Sequence, residues 1–338
     1  MKTKTIISSF IALALCSALY AMPNLEQNNF KELRIEIGDI IQQSVPQDDI
    51  NKQDENGRTA LIRAAIAGDT ETVRFLVEEK KANLDIQDRY GSTALILAAY
   101  FGHTEIVRIL AEKTNLDIQD EDGKTALILA AYFGHTEIVR ILAEKANLDI
   151  QDEYGDTALI LAAYFGHTEI VRILVENNAK LNIKNEHGDT ALIWAAYFGH
   201  TEIVRILVEN NAKLNIKNEH GDTALIWAAY FGYTEIVRIL AEKANLDIQD
   251  RHGDTALILA AMKGHVEIVR ILAEKTNLDI QDEDGKTALM WAIEKNLTEI
   301  ETILTEAEKA RKQARKQKWK QIGQQALEGI VAGGQTAK

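Results

Sequence analysis

The chain has one cysteine and two prolines in 338 residues, and each scarcity excludes something. Cys16 is the lone thiol, so the chain beyond it has no cysteine for a nucleophile, a metal thiolate or a disulfide. With proline only at 23 and 46, Pro-rich linkers are absent. No segment beyond the N-terminus is apolar enough to span a bilayer. There is also no glycine-rich phosphate loop and no G-x-S-x-G, and every histidine or carboxylate candidate belongs to a repeated pattern. No catalytic, cofactor or metal residues are therefore expected, and the chain reads as a non-enzyme.

What is present begins with Lys2 and Lys4, an uncharged run from Thr5 to Ala21, and then Met22-Pro23-Asn24. This is the pattern of a secretory signal peptide over 1–21, cut after Ala21, and it predicts an exported protein, periplasmic or secreted. The net charge of −13 is unevenly spread. Residues 1–21 carry +2 and residues 309–338 carry +7, which leaves −22 for residues 22–308. An acidic body thus precedes a basic tail.

Twenty glycines fall mostly on a fixed spacing. Gly57, Gly91, Gly123, Gly155, Gly188, Gly221, Gly253 and Gly285 are each followed one residue later by Thr-Ala-Leu, at intervals of 32 to 34. A period near 33 outranks any local reading. In the unit beginning at Asp120, Thr125 is placed to cap a short helix through Ala126, Leu127, Ala130 and Ala131, and Gly134 to end it in a left-handed conformation. Thr136 opens a second helix that buries Ile138, Val139, Ile141 and Leu142 and turns Glu137, Arg140 and Glu144 to water. The Asn-Leu-Asp-Ile-Gln-Asp stretch extends and turns back as a hairpin. Helices of nine or ten residues are too short to stand alone in water, so units must stack.

The text G-x-T-A-L-I-x-A-A-x-x-G-H-x-E-I-V-x-x-L resembles the ankyrin repeat, in about eight copies over 50–308. The resemblance implies an all-α repeat solenoid of stacked helix-turn-helix units joined by β-hairpin loops. Residues 22–49 would form an N-terminal capping segment and 309–338 a basic C-terminal tail. The family's T-P-L-H is T-A-L-I or T-A-L-M here, which removes a proline and a histidine from the first turn. The resemblance also implies a protein-interaction scaffold with its partner in a concave groove. The family is common among secreted proteins of host-associated bacteria, so a host-derived partner is expected, with no cofactor and no small-molecule substrate. The 33 residues from His167 to Gly199 recur unchanged from His200 to Gly232, so no single repeat stands out as the site.

Two groups of residues are expected at that groove. Tyr100, Tyr132, Tyr164, Tyr197 and Tyr230, each followed by phenylalanine, close the first helix of five repeats, with the tyrosines shown to solvent and the phenylalanines packed between repeats. Trp194, Trp227 and Trp291 are expected as partly buried packing. The hairpin tips supply Tyr90, Tyr154, His187 and His220, and Asp156, Asp189 and Asp222 after the glycines are expected to edge the groove with negative charge, favouring a basic partner. The tail is expected to prolong the last helix. The alternative function rests there, as contact with an anionic membrane or nucleic acid through Lys309–Lys320.

Overall fold

The computed structural model describes residues 50–334; the expected signal peptide and the 22–49 segment lie outside the described residues. Contacts divide the chain into two compact units, with the boundary between Glu121 and Asp122. The first unit contains α1 (Ala60–Ala67), α2 (Thr70–Glu78), α3 (Ala94–Tyr100) and α4 (Thr104–Ala111). The second contains α5 (Ala126–Phe133), α6 (Thr136–Ala143), α7 (Ala158–Phe165), α8 (Thr168–Glu176), α9 (Ala191–Tyr197) and α10 (Thr201–Glu209). It continues with α11 (Ala224–Phe231), α12 (Thr234–Leu240), α13 (Ala256–Lys263), α14 (Val266–Ala273), α15 (Ala288–Glu294) and α16 (Thr298–Gly334).

Each odd-numbered helix begins where the sequence places it. The hydroxyl of Thr157 accepts the amide of Ile160 at 3.3 Å, and the equivalent threonines from Thr59 to Thr287 do the same. These helices end after seven or eight residues, shorter than expected, because a left-handed residue or a tight last turn clips them. Gly134 is needed twice over. Its φ of 76° is left-handed, and a Cβ there would lie 2.8 Å from the His167 ring of the following repeat. A side chain would therefore be strained and would also collide.

The even-numbered helices bury the predicted stripe. Ile138, Val139 and Leu142 are fully enclosed, against the small faces made by pairs such as Ala130-Ala131 and Ala162-Ala163. Alanine brings successive odd-numbered helices close, so the core of each unit is continuous from repeat to repeat. On the opposite side, Arg140 bridges Glu137 at 3.5 Å and Glu169 of the next repeat at 3.1 Å. The same staircase continues through Arg172, Arg205, Arg238 and Arg270 to Glu299.

The loops differ from the hairpins expected. They turn back, yet among the described residues there is no strand, only an isolated bridge between Gln249 and Thr255. Side chains supply the bonds that a ladder would have made. The Gln249 amide donates to the Gly253 carbonyl at 2.6 Å and to the Gln281 carbonyl of the next loop at 2.9 Å. Where the spacing grows to 33, the added residue is absorbed at Asn178 and Asn211, both left-handed at φ 66° and 65°, a conformation asparagine tolerates.

Helix α16 continues past the last repeat, as the sequence predicted. Ile300 and Leu304 are buried, and Arg311 donates to the Ala273 carbonyl at 2.9 Å. The contact therefore reaches one turn beyond the expected apolar stripe, which stopped at Ala307.

Candidate functional site

The aromatic residues lie in the last turn of the odd-numbered helices, immediately before the left-handed cap. In the first unit Tyr100 and Phe101 meet edge to face with centroids 4.8 Å apart, both exposed. In the second unit the rings form an unbroken zigzag. Tyr132 touches Phe133 and Phe165, Tyr164 touches Phe165 and Phe198, and Tyr197 touches Phe198 and Phe231, all at 4.7 to 5.0 Å and edge to face. Tyr230 touches Phe231 at 4.9 Å, and the run closes where the Lys263 ammonium lies 4.2 Å from the Tyr230 centroid. Such contacts each contribute about 0.5–1.5 kcal/mol beyond area.

The division of labour expected between the two aromatics is reversed. Each phenylalanine bridges tyrosines of neighbouring repeats, yet Phe165 remains 41% exposed, whereas Tyr164, Tyr197 and Tyr230 are only half-exposed. The cause is local. Tyr164 is covered by Phe198 and by the Trp194 ring at 4.8 Å, and Tyr197 by Phe231 and by Trp227 at 4.8 Å. Trp194 and Trp227 are thus the half-buried packing residues expected. Trp291 has a further role, its Nε1 donating to Asp282 at 2.6 Å.

The histidines anchor this face. Nε2 of His167, His200 and His265 lies 3.3, 3.3 and 3.1 Å from the carbonyl oxygens of Tyr132, Tyr164 and Tyr230 in the preceding repeats. A carbonyl only accepts, so Nε2 is the protonated ring nitrogen. Each histidine therefore fixes the backbone of the tyrosine it touches. The sequence marked these residues as turn residues but gave no sign of this cross-repeat bond. No cluster of three or more metal-binding side chains occurs among the described residues. A hollow of about 230 Å³ is lined by Val208, Asn211, Ala212, Leu214, Asn215 and Lys243, of which only Lys243 is ionisable.

At the loop tips Tyr90 and Tyr154 are exposed, and so are His187 and His220. The Arg89 guanidinium covers Tyr90 at 4.6 Å, and the Lys124 ammonium approaches Tyr154 at 5.7 Å. The aspartates behave differently from the expectation of a charged edge. Asp189 and Asp222 are 6% and 7% exposed, and Asp156 is half-buried. They point between loops, where Asn185 donates to Asp156 and Asn218 to Asp189, both at 2.9 Å. Burial pushes the Asp156 carboxyl up to about 6 against the opposing hydrogen bond from Asn185. Burial, with Asp250 beside it, does the same at Asp222, and burial also raises Asp189. The exposed negative charge at the tips comes instead from Glu153, Glu186, Glu219 and Glu283. The sequence held a signal for the buried pairing in the Asn or Asp that recurs 28 or 29 residues after each post-glycine aspartate.

A family model described as ankyrin repeats in three copies matches in four segments, residues 34–120, 112–185, 178–252 and 242–316. Among solved structures, the crystal structure of EF0377, an ankyrin repeat protein, matches with a TM-score of 0.53 and 33% identity. The match covers 57% of this chain and 100% of that chain. No curated protein matches.

Proposed function

The chain belongs to the ankyrin-repeat family, and on that premise we propose that it is a scaffold gripping a protein partner along the aromatic zigzag and loop tips of its second unit. Ankyrin repeats are in general protein-interaction modules, and their fold is typically a non-catalytic scaffold. The observation that carries the reading is the run from Phe133 to Tyr230, in which apolar ring edges remain exposed on successive repeats although every tyrosine backbone nearby is firmly held. Rigid, contiguous aromatic surface is what binding anchors require.

The partner is a basic segment that lies across several repeats. Glu153, Glu186, Glu219 and Glu283 stand exposed at the tips, and the ring of Tyr230 already accommodates an ammonium from Lys263. Charge of this sign steers a cationic partner. Export through residues 1–21 places the encounter outside the cytoplasm, and mass spectrometry of the released protein should find Met22 as its first residue.

The decisive experiment is affinity purification with the full chain and with Phe165→Ala/Phe198→Ala/Phe231→Ala, after circular dichroism has established equal helicity. Loss of the captured protein with the fold intact supports the reading. Equal capture by both proteins, or turnover of a substrate by the purified chain, overturns it.

A second reading rests on α16. Its segment from Lys309 to Lys320 holds seven basic residues in twelve, and Trp319 is 72% exposed one turn before the exposed Ile322. Cations beside an exposed indole suit an anionic bilayer surface, although no described helix is long and apolar enough to cross a membrane. Salt-sensitive binding to vesicles containing phosphatidylserine, abolished by removing residues 312–338, would favour it; binding that survives the truncation would eliminate it.

A further inference from the structure

Within the second unit, the residue after each tip glycine faces the Asn or Asp that organises the next tip, and for the first three pairings the chemistry matches. Lys124 lies near Asp152, Asp156 receives a hydrogen bond from Asn185 and Asp189 receives one from Asn218. The last two pairings depart from this. Asp222 meets Asp250, and Asp254 meets Asp282.

The backbone register does not change to accommodate the difference. Glu219 donates to the His187 carbonyl at 3.0 Å, and Arg251 donates to the His220 carbonyl at 3.1 Å. Oδ1 of Asn218 accepts the Asp222 amide at 2.9 Å, and Oδ1 of Asp250 accepts the Asp254 amide at the same distance. The second oxygen of Asp250 therefore takes the place of an amide nitrogen. A donor toward the preceding tip has become an acceptor. Asp222 is buried, and Oδ1 of Asp254 is buried with no hydrogen-bond partner. Two carboxylates held together away from water need a proton between them.

We infer that Asp222 and Asp250 share a proton which ties the tip at 218–222 to the tip at 250–254, and that its loss on raising the pH loosens the second tip from the first. Asp222 is faced by Asp250 and Asp189, with His220 and Arg251 as the opposing cations. Asp254 is faced by Asp250, Asp282 and Asp284, with only His252 opposing. Asp282 already accepts from Trp291 Nε1, so the Asp222–Asp250 contact is the principal latch and Asp254 a weaker companion. Burial first and Asp250 second hold both Asp222 and Asp254 up to about 6. Both groups have a folded value above the unfolded one of about 3.9, so the latch contributes fully below about pH 4. It is lost as the pH rises through about 6.

The experiment compares amide exchange at residues 250–254 of the full chain at about pH 5 and about pH 7.5, corrected for intrinsic exchange. The variants are Asp250→Asn and Asn218→Asp. In the wild type, protection should fall about tenfold or more across that interval, the size of effect a shift above one pKa unit allows. Asp250→Asn recreates the Asn185 and Asn218 arrangement and should stay protected at both values, with a higher Tm at pH 7.5. Asn218→Asp should transfer the same transition to residues 218–222. Wild-type protection that does not change, or a transition that survives Asp250→Asn although His220 and His252 are retained, overturns the inference. Should Asn218→Asp fail to fold, the Asp250→Asn comparison decides alone.

Discussion

A single hydroxyl sets where each repeat begins. Thr157 is buried at 2% exposure while it caps α7, so Thr157→Ala should lower stability by about 1 kcal/mol, measured as a Tm decrease without loss of helicity below the transition. Asn178 gives the opposite kind of test because its requirement is conformational, with a φ of 66°. Asn178→Gly should leave Tm unchanged or slightly raised, whereas Asn178→Val should lower it, since a β-branched residue resists the left-handed region. Asp156 allows the pH argument to be tested at one residue. Its carboxyl is pushed up to about 6 by burial, above the unfolded value of about 3.9, so the folded state holds the extra proton. Its contribution to stability falls as the pH rises from about 4 to about 6 and is flat above. Asp156→Asn should flatten that part of the Tm–pH curve relative to wild type.

Element by element, the parts legible in the sequence were those that recur within one repeat. The threonine caps, the left-handed glycines, the Ile-Val-x-x-Leu stripe and the extension of the last helix are all local patterns of period 3.6 or of turn chemistry, and the structure has them. Contacts between repeats were less legible because they depend on which side chain faces a neighbour about 30 residues away. The Asp156–Asn185 bond, the His167 bond to the Tyr132 carbonyl and the Arg140–Glu169 bridge are all of this kind. The reversal at Phe165 and Tyr164 has the same origin, because the tryptophan that covers Tyr164 belongs to the next repeat. The arginine–glutamate staircase runs over helices whose charged groups are about half exposed. Raising salt to about 1 M should therefore change Tm little, since each exposed pair contributes about 0–1 kcal/mol. A large fall in Tm would mean that the staircase acts as a cooperative network.

For the molecule as a whole, the acidic net charge of −13 hides opposite fields in body and tail, and the fold within each unit follows from repetition. A repeat buries its apolar helix faces only against a neighbour, so an isolated segment such as 155–187 should show no helix by circular dichroism. Excising residues 200–232 joins Gly199 to Tyr233. It removes one of two identical stretches and leaves Tyr233 beside a glycine-capped helix end like the one it follows now. That shortened chain should fold with unchanged helicity per residue and unfold at lower denaturant, a result read directly from a urea titration. A shortened chain that aggregates or loses helicity would show that the repeats are less interchangeable than their sequences.

The zigzag of rings through Tyr164, Phe165, Tyr197, Phe198, Tyr230 and Phe231 gives one further consequence. Any ligand short enough to engage two rings finds the same pair again one repeat farther on, because the intervening stretches are copies. Occupancy is then distributed over degenerate berths, and the apparent affinity includes a statistical factor equal to their number. Only a ligand longer than the duplicated stretch, reaching Lys263 at one end or Tyr132 at the other, is forced into a single alignment.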